Sequence, residues 1–105
     1  MYIHDKLFEI CNNKIQLYQE LIQNIMHEYN YCINNIIIAK KENNIIVTRE
    51  VAHKILGLIS YLDKTNELVY LCKRILLYDK QMTLFETYKP HVENLLEYNF
   101  SYVIY

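Results

Sequence analysis

Apolar residues recur through residues 3–41 at alternating intervals of three and four positions. Neither glycine nor proline interrupts this column, whose members are Phe8, Cys11, Ile15, Tyr18, Ile22, Ile25, Tyr29, Cys32, Ile36 and Ala39. Such alternation keeps one face of an α-helix directed at a partner helix. We therefore predict a single helix over this range, which would extend roughly 55 Å at about 1.5 Å per residue.

A second apolar column flanks the first and widens it into a broad stripe. Its members are Leu7, Ile10, Leu17, Leu21, Met26, Ile33 and Ile37. A broad stripe is typical of a helix that contacts several neighbours in a bundle, whereas a narrow seam suits a two-stranded coiled coil. The pattern therefore favours a bundle built on this helix, and a homodimer that pairs through it is a further expectation.

A β-hairpin is the alternative structure for residues 36–48. Two β-branched runs, 36–39 and 45–48, flank the polar residues 41–44, as the strands of a hairpin flank its turn. The helix is preferred because Cys32, Ile36 and Ala39 keep the phase of the earlier column. A hairpin would shorten the first helix to about residue 31 and make the fold α+β.

Polar breaks divide the rest of the chain into shorter amphipathic segments, at residues 40–44, 63–66 and 79–82. Helical spacing predicts a second helix over about 46–62 and a third over about 68–79. Asp63 and Thr65 are candidate N-caps for the third helix. Short polar connections usually return the chain antiparallel, so these helices are expected to pack beside the first.

Three further signals concern the second helix and the last part of the chain. Gly57 inside the second helix predicts a close helix crossing or a bend. Residues 83–86 read Thr-Leu-Phe-Glu, a capping box, and Pro90 predicts that a new helix begins near it. The sequence thus predicts one all-α domain over residues 1–105, an antiparallel bundle of four to five helices built on the long N-terminal helix.

Composition agrees with this fold and narrows the function classes. Hydrophobic residues make up 52% of the chain, with one glycine and one proline, which argues against disorder and against a sheet-rich fold. The net charge of −1 gives no global field that attracts nucleic acid or an anionic membrane. No apolar run reaches the roughly 20 residues that span a bilayer, and no signal peptide is evident, so we expect an intracellular protein, cytoplasmic or nuclear. Abundant Ile, Asn, Lys and Tyr suggest an A+T-rich coding sequence, as in many large DNA viruses.

Residues suited to metal binding or catalysis are scattered. The cysteines lack a zinc-ligand spacing and fall at core positions of the predicted helices, so we expect reduced, buried thiols at Cys11, Cys32 and Cys72. No HExxH motif contains His27, His53 or His91. A single glycine excludes the glycine-rich loops that bind phosphate. We therefore predict no metal, no cofactor and no enzymatic activity.

A protein-interaction or regulatory module is the function that the pattern favours. Long amphipathic helices and an aromatic C-terminal segment are common contact surfaces between proteins. The expected partners are a second copy of the chain and a protein of unknown identity. Candidate interface residues are Tyr18, Ile22, Ile25, Tyr29, Tyr98, Phe100, Tyr102 and Tyr105.

A small nucleic-acid-binding regulator is the alternative function. Residues 48–57 followed by 63–74 resemble a helix-turn-helix, with Ala52 at a tight helix contact and Gly57 near the turn. The spacing from Ala52 to Gly57 is five residues instead of the usual four, and Glu67 stands early in the would-be recognition helix. The basic residues assigned to this surface are Lys40, Lys41, Arg49, Lys54, Lys73 and Arg74.

Overall fold

The computed structural model describes residues 4–77 and 85–104, and every regular element within these residues is a helix. The helices are α1 (Asp5–Ile10), α2 (Ile15–Lys41), α3 (Ile45–Leu58), α4 (Asn66–Leu76), α5 (Phe85–Glu97) and α6 (Ser101–Ile104). The prediction of an all-α bundle is therefore confirmed.

Helices α2 to α5 form the body of the bundle. Each packs against the next along the chain, and α5 also packs against α2, so the four helices close a ring. Lys40 near the end of α2 contacts Glu93 in α5, whereas Tyr29 in the middle of α2 contacts Phe100 beyond the end of α5. Helices α2 and α5 are therefore antiparallel, and successive helices run up, down, up and down.

A break at residues 11–14 divides the predicted N-terminal helix into α1 and α2, so the prediction of one unbroken helix is wrong. Asn12 and Asn13 have φ angles of 55° and 59°, in the left-handed region. The amide of Asn12 donates to the carbonyl of Glu9 at 2.9 Å, and that of Asn13 donates to Phe8 at 3.0 Å. This is a Schellman cap, in which asparagine takes the position usually held by glycine.

The same device ends α2 and excludes the hairpin at residues 36–48. Asn43 has a φ angle of 53°, and its amide donates to the carbonyl of Lys40 at 3.2 Å. The amide of Asn44 donates to Ala39 at 2.8 Å, while its side chain accepts from the amide of Val47 at 3.1 Å and so caps α3. This segment is a helix, a short turn and a second helix, so the α+β alternative is wrong.

The predicted apolar column of α2 lies in the core of the chain itself. Its buried members are Tyr18, Ile22, Ile25, Tyr29, Cys32, Ile36 and Ala39. They are covered by buried residues of the three other long helices, among them Val51, Ile55, Leu68, Ile75, Val92 and Leu95. Ile15, the first residue after the break, is exposed because the change of direction moves it out of the column. The partner helices that the column requires are thus supplied within one chain.

Helix α5 begins upstream of the predicted position. It starts at Phe85 and contains Pro90, so the prediction that a new helix begins near the proline is wrong. Proline removes the amide that would bond to the carbonyl of residue 86. Val92 and Leu95 are nevertheless fully buried after it, and the packing of that face outweighs the local cost. The predicted capping box depends on Thr83, which lies outside the described residues.

The predicted boundaries of α3 and α4 differ slightly from those observed. Helix α3 ends at Leu58, a turn earlier than expected, and α4 ends at Leu76. Thr65 is the N-cap residue of α4, one of the two positions predicted, although its side chain makes no capping hydrogen bond. Differences of this size at helix ends do not alter the packing of the bundle.

Candidate interaction surfaces

The predicted interface residues divide between the core and the surface. Those buried in the chain's own core are Tyr18, Ile22, Ile25, Tyr29 and Phe100. Tyr98 is partly buried, Tyr102 is 73% exposed, and Tyr105 lies outside the described residues. Of the predicted residues that the structure describes, only Tyr98 and Tyr102 present substantial surface to a partner.

An apolar groove of about 350 Å³ opens between α1, α2 and the end of α3. We call it the Gly57 groove, and it is lined by Leu7, Ile10, Leu21, Ile25, Gly57, Leu58 and Tyr61. Ile10 is 53% exposed and Tyr61 is 48% exposed, so the groove is open to water. The wall formed by Leu7 and Ile10 of α1 exists because the chain breaks after α1 and turns this helix against α2. An unbroken helix, as predicted from the sequence, would not form this groove.

Gly57 contributes no side chain to this groove. A Cβ atom placed on Gly57 would meet no atom within 4 Å, so the prediction of a close helix crossing at this residue is wrong. Its φ angle is not positive, so the backbone does not require glycine either. Because glycine inside a helix costs up to about 1 kcal/mol relative to alanine, the groove is kept open at some cost in stability.

A second groove, of about 390 Å³, lies between α2 and α5 near the α2–α3 turn. We call it the lysine groove, and it is lined by Ile37, Lys40, Lys41, Asn43, Lys89 and Leu96. The Nζ atom of Lys40 is 3.3 Å from a carboxylate oxygen of Glu93. Among the described residues, no carboxylate lies within 4.0 Å of Lys41 or Lys89. Lys40 and Lys41 also stand in the last turn of α2, where positive charge offsets the helix dipole.

The basic residues of the nucleic-acid hypothesis make different contacts. Nη2 of Arg49 donates to the carbonyl of Leu76 at 3.2 Å, which braces the start of α3 against the end of α4. The guanidinium carbon of Arg74 lies 6.0 Å from the centre of the Tyr70 ring. The exposed members are Lys41, Lys54 and Lys73. Nucleic-acid binding stays a prediction. Of its proposed residues, Arg49 makes a hydrogen bond between two helices of the bundle.

The C-terminal tyrosines border a polar groove between α4 and α5. It measures about 400 Å³ and is lined by Glu67, Leu71, Asn94, Glu97, Tyr98, Asn99 and Tyr102. Burial, followed by the negative charge of Glu67, raises the pKa of the Tyr98 phenol. The hydroxyl of Tyr98 is therefore protonated at neutral pH and can both donate and accept a hydrogen bond.

A buried histidine, which no sequence pattern singled out, lies at the opposite end of the bundle from the lysine groove. His4 is fully buried, and its Nδ1 accepts from the amide of Asp63 at 2.9 Å. The amide of His4 donates to the hydroxyl of Tyr18 at 3.1 Å, and the ring lies near the backbone of Val103 and Ile104 in α6. One residue thus connects the start of α1, the α3–α4 connection, α2 and α6.

His4 is neutral in this setting. Burial lowers the pKa of His4, although the negative charge of Asp63, whose Oδ2 is 4.0 Å from Nδ1, opposes the shift. Because Nδ1 accepts a hydrogen bond from an amide, the ring proton is on Nε2, which can donate to a carbonyl of α6. The ring is fully buried, so its contacts are with the surrounding protein.

The cysteines are buried and unbridged, as predicted, at Cys11, Cys32 and Cys72. Cys11 was expected within a helix, but it is the C-cap residue at the end of α1. Burial raises the pKa of Cys32, and it raises the pKa of Cys72 to about 12, so both are poorly nucleophilic thiols at neutral pH. Within residues 4–77 and 85–104 no group of three or more His, Cys, Asp and Glu side chains is placed to hold a metal ion. The absence of an enzymatic activity stays a prediction.

Comparison with known proteins gives no relative: no family model, no curated protein and no solved structure matches this chain. In the part of the chain that the structure describes, no helix combines the length and the apolar character needed to cross a membrane. The shape, polarity and charge of the surface grooves are therefore the observations that bear on function.

Proposed function

We propose that this protein is a non-catalytic interaction module with a regulatory role, and that its contact surface is the Gly57 groove. The observation that supports this proposal is the unbroken apolar lining of the groove, with Ile10 and Tyr61 half exposed at its rim. Removing such a surface from water stabilises a complex, and contiguous apolar patches on soluble proteins are commonly contact sites. Tyrosine is also enriched among the residues that dominate interface energetics.

A second copy of the chain is the partner that we propose first. The groove is bordered by α1 and α2, so a homodimer would still pair through the N-terminal helices, but through their exposed rim instead of the buried column. A two-fold dimer would place the same groove of both copies in contact, with each Tyr61 packing on the other copy. A different protein partner is the broader form of this proposal, and an origin in a virus or another A+T-rich genome is a separate expectation from the amino-acid composition.

Sedimentation equilibrium of the purified protein tests this proposal. We expect a concentration-dependent dimer in the micromolar range, about 1–100 μM, and a dissociation constant about tenfold higher or more for Tyr61→Lys. The matched control is Tyr70→Lys, since Tyr70 is 59% exposed and also has a cation over its ring. Lys6 lies 5.8 Å from the Tyr61 ring centre and Arg74 lies 6.0 Å from that of Tyr70, so the two substitutions disturb similar surroundings.

A second variant, Gly57→Leu, fills the groove from within α3 and should weaken association without loss of helicity by circular dichroism. A wild-type protein that stays monomeric throughout this range would exclude the homodimer. Equal weakening by Tyr61→Lys and Tyr70→Lys would exclude the groove as the contact surface. Salt-sensitive retention on duplex DNA that is lost in the double variant Lys54→Glu and Lys73→Glu would instead favour the nucleic-acid alternative.

A further inference from the structure

We propose that the lysine groove binds an acidic peptide segment in which an apolar side chain stands between carboxylates. This surface is separate from the Gly57 groove: none of its lining residues is shared, and it lies between α2 and α5 instead of between α1, α2 and α3. The inference therefore goes beyond the proposed function and does not depend on it.

The charge of the groove is the first observation that carries this inference. Three lysines line it, and one of them, Lys40, is paired with the carboxylate of Glu93. Lys41 and Lys89 have no carboxylate within 4.0 Å among the described residues. Because the whole chain has a net charge of −1, this excess of positive charge is local and does not follow from a generally basic surface. A groove of one sign attracts ligands of the other.

The apolar bottom of the groove is the second observation. Ile37 is 38% exposed there, and Leu96 is partly buried beside it. The long apolar stems of the lysines extend such a surface while their ammonium groups remain in water. An apolar side chain of a partner gains by covering Ile37 and Leu96, and carboxylates on either side of it then reach the ammonium groups.

The shape of the groove favours a peptide over a nucleic acid. Its volume of about 390 Å³ suits one or two side chains. A nucleic-acid backbone offers regularly spaced phosphates and no aliphatic side chain to cover Ile37 and Leu96, so it would leave the apolar bottom exposed. A flexible peptide can present carboxylates to the lysines and an apolar side chain to Ile37 and Leu96 at the same time.

The ion pair between Lys40 and Glu93 is suited to exchange. The Lys40 side chain is 30% exposed and that of Glu93 is 45% exposed, so water already solvates both groups. Exposed pairs of this kind contribute little to stability, and a carboxylate from a partner can replace Glu93 at small cost. Glu93 is then a weak competitor for the ligand.

Fluorescence anisotropy with a labelled peptide of sequence Asp-Glu-Leu-Glu-Asp tests the inference. Three probes serve as comparisons: the same peptide with Ser in place of Leu, the uncharged peptide Asn-Gln-Leu-Gln-Asn, and a short DNA duplex. We expect the first peptide to bind at least about fivefold more tightly than each comparison, with weaker binding at about 150 mM than at about 50 mM salt.

Charge-reversal variants locate the site. The double variant Lys41→Glu and Lys89→Glu should weaken binding of the acidic peptide about tenfold or more. The matched control, Lys54→Glu and Lys73→Glu, changes the net charge equally at exposed positions outside the groove and should change affinity by less than about twofold. Glu93→Gln should strengthen binding, since it removes the competing carboxylate.

Several outcomes would overturn the inference. Equal weakening in the two double variants would show attraction by general charge, and equal affinity for the Leu and Ser peptides would show that the apolar bottom takes no part. Tighter binding of the duplex than of the peptide would assign the groove to nucleic acid, and no binding up to about 1 mM would exclude it as a peptide site. Tyr61→Lys, which tests the Gly57 groove, should bind the acidic peptide as the wild type does.

Discussion

At one end of the bundle a buried, neutral histidine makes hydrogen bonds, and at the other end a lysine and a glutamate form a half-exposed ion pair. The first end, which we call the histidine end, is held by hydrogen bonds that join His4 to Asp63 and Tyr18, with the backbone of α6 near the ring. At the other end, the lysine groove holds a half-exposed ion pair between Lys40 and Glu93. The same helices thus end in two different electrostatic environments.

Because of this difference, the polar contacts at the two ends contribute differently to folding stability. Buried hydrogen bonds are costly to break because the separated groups lose their partners away from water, so the histidine end contributes to stability. Exposed charges are screened by salt and contribute little to folding, so the ion pair at the lysine end adds little to stability. The predictions below separate the two ends by the size and the condition dependence of each effect.

The largest effect is expected from Phe100→Ala, just before α6. The Phe100 ring stacks on Tyr29 with ring centres 3.8 Å apart and an interplanar angle of 7°, and it is buried. Truncation leaves a cavity in the core, so urea unfolding should show a loss of about 3–5 kcal/mol. The exposed neighbour Tyr102 provides the control, since Tyr102→Ala should change the unfolding free energy by about 0.5 kcal/mol or less. Similar losses in both would contradict the difference in burial between Phe100 and Tyr102.

Acidification should weaken the histidine end. Because burial lowers the pKa of His4 below its ordinary value of 6.5, the unfolded chain takes up more protons than the folded chain as the pH falls through about 6.5. The contribution of neutral His4 is therefore complete above that pH. It decreases as the pH falls towards the lowered pKa and is constant below it. Urea unfolding at steps from about pH 8 to about pH 5 measures this dependence.

Two histidine variants assign the pH dependence. His4→Gln should be less stable than the wild type at neutral pH, by about 1–3 kcal/mol for the loss of buried hydrogen bonds, and should lose much of the slope. His53→Gln, at an exposed position on α3, should keep both stability and slope. An unchanged slope in His4→Gln would mean that another group is responsible.

Tyr29→Phe should raise stability. The Tyr29 hydroxyl is buried, with no hydrogen-bond partner among the described residues, and burial raises the pKa of its phenol. Removing a buried polar group that lacks a partner relieves a desolvation cost, so we expect a gain of about 1 kcal/mol in urea unfolding. Tyr18→Phe is the contrasting variant, because it removes the hydroxyl that accepts from the amide of His4 and should destabilise. A loss in Tyr29→Phe would show that this hydroxyl is satisfied.

The smallest effect is expected from Glu93→Gln at the lysine end. Loss of the exposed pair with Lys40 should lower stability by about 0.2–1 kcal/mol at low salt and by less at about 0.5 M salt. The difference between wild type and His4→Gln should change little with salt, since His4 is neutral and buried. Thermal unfolding at both salt concentrations compares the two ends, and a salt-independent loss in Glu93→Gln would remove the distinction.

Some elements of the fold were predictable because their signal is local. The column from Tyr18 to Ala39 indicated a buried helix face, and the polar break after it indicated the reversal into α3. The end of α1 was not predicted because neither glycine nor proline interrupts residues 3–41. The signal was present in Asn12 and Asn13, as it was in Asn43 at the end of α2. Asparagine tolerates left-handed backbone angles, so these residues end helices without glycine.

Other features depend on contacts between residues far apart in the chain. His4 is distant in sequence from Asp63 and from α6, so no periodic pattern marks it as buried. Pro90 suggested a helix start locally, but the burial of Val92 and Leu95 outweighed that preference. The lysine groove likewise brings Lys89 of α5 beside Lys40 and Lys41 of α2, which their spacing in the sequence does not reveal.

The sequence by itself determined that this protein is helical and which face of its longest helix is buried, because periodicity and capping act between residues a few positions apart. Only the tertiary structure decided what covers that face. The column that suggested pairing with a second copy is covered by α3, α4 and α5 of the same chain. Their apolar faces pack on it and exclude water from it within one copy. Tertiary packing also decided which surface stays exposed, and so left the Gly57 groove and the lysine groove as the sites to test.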